Sequence, residues 1–267
     1  MPSSIHRIAR LFFIGFIATA LLAGCALLPD PIDPTQDWSA QRLHSEARSA
    51  MSDGNYRTAI EYLDKIQARY PFGRYAQQAQ LDTIYVQYKD SEPDAAIAAA
   101  DRFIRANPRH PYVDYAYYMK GLANFERSNT IVDRLAPVDR AKTDTSTARQ
   151  SYNDFAELVQ KFPNSPYAED ARQRMLFLHN SLAAYEVNVA DYYLRRGAYV
   201  AAVNRAKFVL ENYARTPATE DALGIMIQAY IKMGMPQLAA GSLRVLERNY
   251  PQSPALPKLN ALVRGAG

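Results

Sequence analysis

The chain has 267 residues, 48% hydrophobic and 22% charged, with 31 basic against 27 acidic side chains, four histidines and one cysteine. The lone cysteine excludes an intrachain disulfide. The formal charge of +4 comes partly from Arg7 and Arg10; without residues 1–24 it falls to +2, which gives no electrostatic case for nucleic-acid binding.

The chain opens with His6, Arg7 and Arg10, followed by an uncharged stretch over 11–22. About twelve apolar residues are too few to span a bilayer, so residues 1–24 read as an export signal rather than a retained membrane helix. Its end, Leu22, Ala23, Gly24 and Cys25, resembles the bacterial lipobox, which implies lipid on Cys25 and cleavage just before it. Two or three acyl chains, at about 0.8 kcal/mol per buried methylene, would make such an anchor effectively permanent. Ala26 in place of an aspartate implies, by the same resemblance, transfer to the outer membrane. Residues 25–36 follow as the acylated cysteine and an extended, proline-rich tether carrying Pro29, Pro31 and Pro34.

From residue 37 the punctuation is periodic. Tyr70-Pro71-Phe72-Gly73, Asn107-Pro108-Arg109-His110-Pro111, Phe162-Pro163-Asn164-Ser165-Pro166, Tyr213-Ala214-Arg215-Thr216-Pro217 and Tyr250-Pro251-Gln252-Ser253-Pro254 each stop one helix and start another. Gly54, Gly197 and Gly234 precede their markers by a constant offset, where a helical hairpin turns over. Ala59, Ala202 and Ala239 recur where neighbouring helices must approach closely. The pattern predicts an all-α fold, a tetratricopeptide-like α-solenoid of five helix pairs over 37–71, 72–108, 109–163, 164–214 and 215–251, with 252–267 as a tail. The insertion over 129–146 reads as a long exposed loop. A helix over 167–196 contains no proline or glycine and exceeds what one repeat can cover.

Little of this points to catalysis. His44, His110 and His179 lie in separate repeats with no second ligand at metal spacing, so no metal site is expected. No phosphate loop, His-Glu-x-x-His or Gly-x-Ser-x-Gly occurs, and an acylated Cys25 offers no thiol. Glu157, Glu169 and Asp170 read as solvated acids on amphipathic helices. No cofactor is expected beyond the lipid, and the protein reads as a non-enzyme.

The connecting segments carry a family resemblance. Arg69-Tyr70-Pro71-Phe72-Gly73 with Gln77-Gln78 and Gln80-Leu81, Asp101-Arg102-Phe103-Ile104-Arg105, Tyr118-Met119 with Gly121-Leu122, and Arg196-Gly197-Ala198-Tyr199-Val200-Ala201 with Val203-Asn204-Arg205 resemble the BamD (ComL-like) lipoproteins. These are scaffolds of the outer-membrane β-barrel assembly (BAM) machinery. The middle loop departs from the family pattern, since Val138-Asp139-Arg140 continues as Ala141-Lys142-Thr143-Asp144.

The resemblance implies a lipid-anchored scaffold on the periplasmic face of the outer membrane. Its C-terminal repeats would dock on the periplasmic domains of BamA, with Arg205 at that contact, beside other BAM lipoproteins. Its N-terminal groove would receive unfolded outer-membrane proteins, with Tyr56, Tyr75, Tyr85 and Tyr88 as candidate liners. The alternatives are a peptidoglycan-associated or peptidoglycan-cleaving lipoprotein, or another periplasmic repeat adaptor.

Overall fold

A computed structural model describes residues 33–129 and 145–266. The expected export signal, Cys25, most of the expected tether and nearly all of the expected loop over 129–146 lie outside the described residues.

Eleven helices occupy the described residues, and no strand occurs among them: α1 (Ala40–Ser52), α2 (Tyr56–Arg69), α3 (Arg74–Lys89), α4 (Pro93–Ala106), α5 (Val113–Asn129), α6 (Ser146–Lys161), α7 (Ala168–Arg195), α8 (Tyr199–Asn212), α9 (Ala218–Lys232), α10 (Pro236–Asn249) and α11 (Leu256–Arg264). The first ten form the five expected pairs. Each of the five second helices ends on a residue near φ −130°, whose N–H still bonds four residues back at 2.8 Å. In four cases a proline follows, which disfavours helical geometry in the residue before it. Tyr213 adopts the same conformation ahead of Ala214.

Within the pairs, the turn residue sits in the left-handed region: Gly54 at φ 73°, Gly197 at 77°, Gly234 at 67° and Ser91 at 61°. In each the next residue's N–H reaches the carbonyl five back, as Asn55 does to Ala50 at 2.8 Å, closing a Schellman turn. Ser91 carries a Cβ in that conformation, which costs about 1 kcal/mol that a glycine avoids.

The small residues fill the inter-helix contacts as expected. Ala59, Ala202 and Ala239 are fully buried, and Ala96 and Ser151 hold the equivalent places in the other two repeats. Gly121 in α5 does the same from the other side, since a Cβ there would come within 2.6 Å of the Phe155 ring. Ser151 Oγ donates to the Gly121 carbonyl at 3.0 Å, so the backbones of α5 and α6 are held close.

The core runs through four apolar clusters along the stack, from Leu43, Leu63 and Ile66 at one end to Leu223, Ile227 and Leu246 at the other. The long α7 has 28 residues, about 42 Å of helix. It neither projects nor meets a separate body: Ala171 and Leu178 belong to the cluster of α3–α6, whereas Leu182, Ala183, Val187 and Ala190 belong to that of α8 and α9. Its added length couples the third and fourth repeats.

Two segments differ from the sequence reading. Residues 252–267, expected as a tail, carry α11; its Leu259 is buried and, with Leu256 and Val263, covers the apolar end of α9 and α10. Residues 34–36, expected as the end of the extended tether, form with Asp37 a turn docked on α2. Lys65 Nζ donates to Asp33 Oδ1 at 2.9 Å and to Thr35 Oγ1 at 3.0 Å, and the Arg69 guanidinium pairs with Asp33 Oδ2. The hydrogen bond from Lys65, and then those from the Thr35 N–H and hydroxyl, hold the Asp33 carboxyl well below the usual range.

Candidate partner-binding surfaces

Consecutive first helices pack on one another, α1 on α3, α3 on α5 and α7 on α9, while among the described residues no two second helices pack to that extent. The first helices therefore line the tighter, inner side of the stack. Side chains on that face join repeat to repeat. His44 of α1 meets Asp82 of α3 (Nε2 to Oδ2, 2.8 Å), and Gln78 donates to the other Asp82 oxygen at 2.8 Å. The His44 and Tyr75 rings lie 5.8 Å apart.

Further along, Tyr118 of α5 donates to Asp170 of α7 at 2.7 Å and stacks on Tyr167 at 4.7 Å, and Arg174 donates to the same Asp170 oxygen at 2.6 Å. Burial and the Asp170 carboxylate push the Tyr118 hydroxyl up to about 12. Burial, followed by the neighbouring Tyr167 and Asp82, raises Tyr115 as well. For Asp170 burial acts upward, but the bonds from Arg174 and Tyr118 outweigh it and the carboxyl is lowered. Asp170 is thus partnered rather than merely solvated, whereas Glu157 and Glu169 pair with Lys161 and Arg172 on their own helices.

The tyrosines expected to line a groove divide. Tyr75 and Tyr85 sit on α3, with Tyr85 36% exposed and close enough to raise Tyr115. Tyr88 is half-buried one turn on, raised by burial and then by the charge of Glu126. Tyr56 opens α2, a second helix, and packs against the first core cluster. Sequence reasoning did not single out Tyr115, Tyr118, Tyr167 or Arg174 as groove residues; Tyr115 and Tyr118 lie within α5 and Tyr167 just ahead of α7, and only their cross-repeat neighbours reveal a common face.

A second constellation surrounds Arg205. Its Nη1 donates to Glu186 Oε2 at 2.9 Å, and Arg149 of α6 donates to Oε1 at 2.9 Å while reaching the Tyr213 hydroxyl at 2.8 Å. Glu186 is 1% exposed, and its two arginines are each about 40% exposed. The buried carboxylate ties α6, α7 and α8 together, and Arg205 carries that tie to the surface. A sequence signal existed, for Glu186 falls on the buried stripe of Leu182, Val187 and Ala190. An acid there requires partners. The His179 ring lies between those of Tyr152 and Tyr213, tilted to both, beside this site, and His110 turns its Nδ1 to the Tyr112 N–H within its own turn.

Among the described residues no group of three or more His, Cys, Asp or Glu could hold a metal ion, and no helix is long and apolar enough to cross a membrane. The sequence profile of a family described as outer membrane lipoprotein, YfiO, matches residues 36–246. An outer membrane protein assembly factor BamD of Neisseria meningitidis is 46% identical over 222 residues, 83% of each chain. That of Vibrio cholerae is 38% identical over 235 residues, 88% of this chain and 96% of its own. A solved tetratricopeptide-repeat protein of Thermus thermophilus superposes with a TM-score of 0.37 at 14% identity, over 85% of this chain and 98% of that one.

Proposed function

Because this chain belongs to the YfiO family of outer membrane lipoproteins, we propose that it is an assembly factor for outer-membrane β-barrel proteins, held at the periplasmic face by lipid on Cys25. It works by position rather than by chemistry. A solenoid whose repeats contact only their neighbours offers an extended binding face. Confinement to a thin layer under the membrane raises its effective concentration toward membrane-embedded partners.

The observation that carries this reading is the continuous row on the inner face, from His44 and Tyr75 through Tyr85 and Tyr115 to Tyr118, Tyr167 and Arg174. Half-buried tyrosine rings offer apolar contact, and Tyr85, the most exposed of them at 36%, adds a hydroxyl able to bond, which suits the backbone and alternating side chains of an extended, unfolded segment. The occupants we assign are unfolded outer-membrane proteins on this face, and the BamA periplasmic domains, beside other BAM lipoproteins, at the C-terminal repeats. Tyr75, Tyr85 and Tyr88 are the groove contacts; Tyr56 supports the core beneath them.

Titrating the protein with a peptide from an outer-membrane β-strand tests the groove. Tyr85→Ala is expected to weaken binding about tenfold, in the range of a single aromatic contact, with Tyr56→Ala unchanged in affinity. Equal affinity of the Tyr85 variant would remove the groove reading. For Arg205, charge reversal is a poor probe because it would set a second carboxylate beside Glu186. Arg205→Gln and Arg149→Gln each release one oxygen of Glu186, so a loss of BamA binding confined to the Arg205 variant assigns the contact to its guanidinium. Equal losses in both variants would assign it to the fold.

A further inference from the structure

All inter-repeat turns lie on one edge of the stack, the edge from which the first helices start. Hydrogen bonds show this at the first three turns: the Tyr70 hydroxyl donates to the Trp38 carbonyl at 2.9 Å, Asn107 meets Gln77 and Gln80 at 3.3 and 3.1 Å, and Ser165 donates to Asp114 at 2.7 Å. The docked segment at Asp33 lies on the same edge, since Lys65 and Arg69 are at the end of α2. Eight residue steps separate Cys25 from Asp33, so even a fully extended chain keeps the two within about 29 Å.

The five turns are not alike. The first exposes Phe72 to 89% and Tyr70 to 36%, and the second exposes Tyr112 to 59%. In the third, fourth and fifth turns the aromatic residues, Phe162, Tyr167, Tyr213 and Tyr250, are half-buried or buried. Basic residues concentrate in the same two turns, whereas 161–168 and 212–218 hold one cation each, Lys161 and Arg215, and 249–256 none. Residues 69–74 and 105–112 contain Arg69, Arg74, Arg105 and Arg109 and no acid. Arg69 is taken up by Asp33 and Arg74 lies over the Tyr75 ring, whereas Arg105 and Arg109 make no ion pair with a described residue. Nothing in the fold uses Phe72, which extends from a turn held by Gly73 at φ 91°.

We propose that the edge formed by these first two turns, residues 69–74 and 105–112, is a membrane-contact surface, resting Phe72 and Tyr112 in the headgroup layer of an anionic phospholipid bilayer. The proposal rests on the anchor at Cys25, which delivers this edge to the bilayer. Aromatic rings settle at the level of the headgroups, and unpaired arginines are drawn to anionic lipid within a Debye length of the surface. The tether then fixes distance, the edge fixes orientation, and the inner face of the stack is set at a constant angle to the membrane.

Because Cys25 is the only cysteine, its acylation leaves a second, introduced cysteine as the sole reactive thiol. The full chain carrying Phe72→Cys or Tyr112→Cys is labelled with a polarity-sensitive fluorophore and reconstituted in vesicles of phosphatidylethanolamine and phosphatidylglycerol. Val200→Cys and Leu238→Cys, exposed on the opposite edge, serve as controls. Labels at 72 and 112 are expected to shift to the blue and to be quenched by nitroxide-bearing lipid, with the controls unchanged. Replacing the anionic lipid with phosphatidylcholine, or pairing the label with Arg105→Gln and Arg109→Gln, should lower that quenching. A label at 72 that reports water as fully as one at 200 would give this edge to a protein partner and overturn the proposal.

The mass of the N-terminal peptide separates the two readings. An acylated Cys25 with aqueous labels removes the edge and leaves the anchor, and an unacylated Cys25 with labels still quenched in a Cys25→Ser background, where the introduced thiol is again the sole one, removes the anchor and leaves the edge.

Discussion

Removing both Arg149 and Arg205 strands the Glu186 carboxylate inside the stack, and the size of the effect follows from its burial. Glu186 is 1% exposed and accepts one bond on each oxygen, so losing both cations leaves an uncompensated buried charge, a change that costs about 3–5 kcal/mol. For a chain of this length that corresponds to a fall in melting temperature of roughly 10 °C. Each arginine is partly exposed, so water replaces some of what a single deletion removes, and Arg149→Met or Arg205→Met alone is expected to cost about 1.5 kcal/mol. Adding Glu186→Leu to the double variant is expected to recover most of the loss, because an apolar group of similar size in place of a buried ion set is often close to neutral. About 1 kcal/mol would remain for the Tyr213 hydroxyl, which loses its partner in Arg149. Circular-dichroism melts of the singles, the double and the triple form the cycle. A double variant as stable as the parent, or a triple variant worse than the double, would refute the clamp.

Gly121→Ala forces a methyl group against the buried Phe155 ring and is expected to cost about 1–3 kcal/mol by urea denaturation, whereas Gly241→Ala, with nothing nearer than 3.9 Å, should be near neutral. Ser91→Gly relieves a left-handed residue at φ 61° and should raise stability by up to about 1 kcal/mol in the same assay. Asp170 has a folded pKa lowered from 3.8, so its contribution is present above 3.8 and lost as the pH falls through the lowered value. The parent should therefore exceed Asp170→Asn by about 0.5–1 kcal/mol at neutral pH, a figure discounted because the carboxylate is 44% exposed. Urea midpoints should converge below that value, and a gap that widens on acidification would contradict the assigned partners.

The periodic features were legible because each has a local cause. Proline after the second helix, glycine in the hairpin turn and alanine at the close approach act within a few residues, and helices α1–α10 lie close to where they were expected. The stacking of α7 against two clusters was not legible, because the number of residues in a helix does not say which neighbours cover each half. The α11 helix was written in Leu256, Leu259 and Val263, but nine residues make a marginal helix in isolation, and only the open end of α9 and α10 stabilises it. At the binding surfaces, Tyr75 and Tyr85 were candidate liners of a groove that the family resemblance implied, and only the packing of α3 between α1 and α5 gives them a common face with His44 and Tyr115. The roles of Tyr118, Asp170 and Arg174 depend on a pairing between α5 and α7, more than fifty residues apart for Tyr118 and Asp170. Arg205 was chosen by resemblance, and its partners Glu186 and Arg149 come from two other helices.

As proposed, this solenoid is a lipid-held member of the machinery that inserts outer-membrane β-barrels. Affinity purification of the tagged chain from detergent-solubilised outer membranes of its own cells, with a Cys25→Ser chain in parallel, tests it most directly. Recovery of the β-barrel subunit BamA with the parent chain, and loss of the serine chain from the membrane fraction when that partner is depleted, is the predicted result. A parent chain that purifies without any β-barrel assembly subunit, or fractionates with the soluble periplasm, would contradict the account.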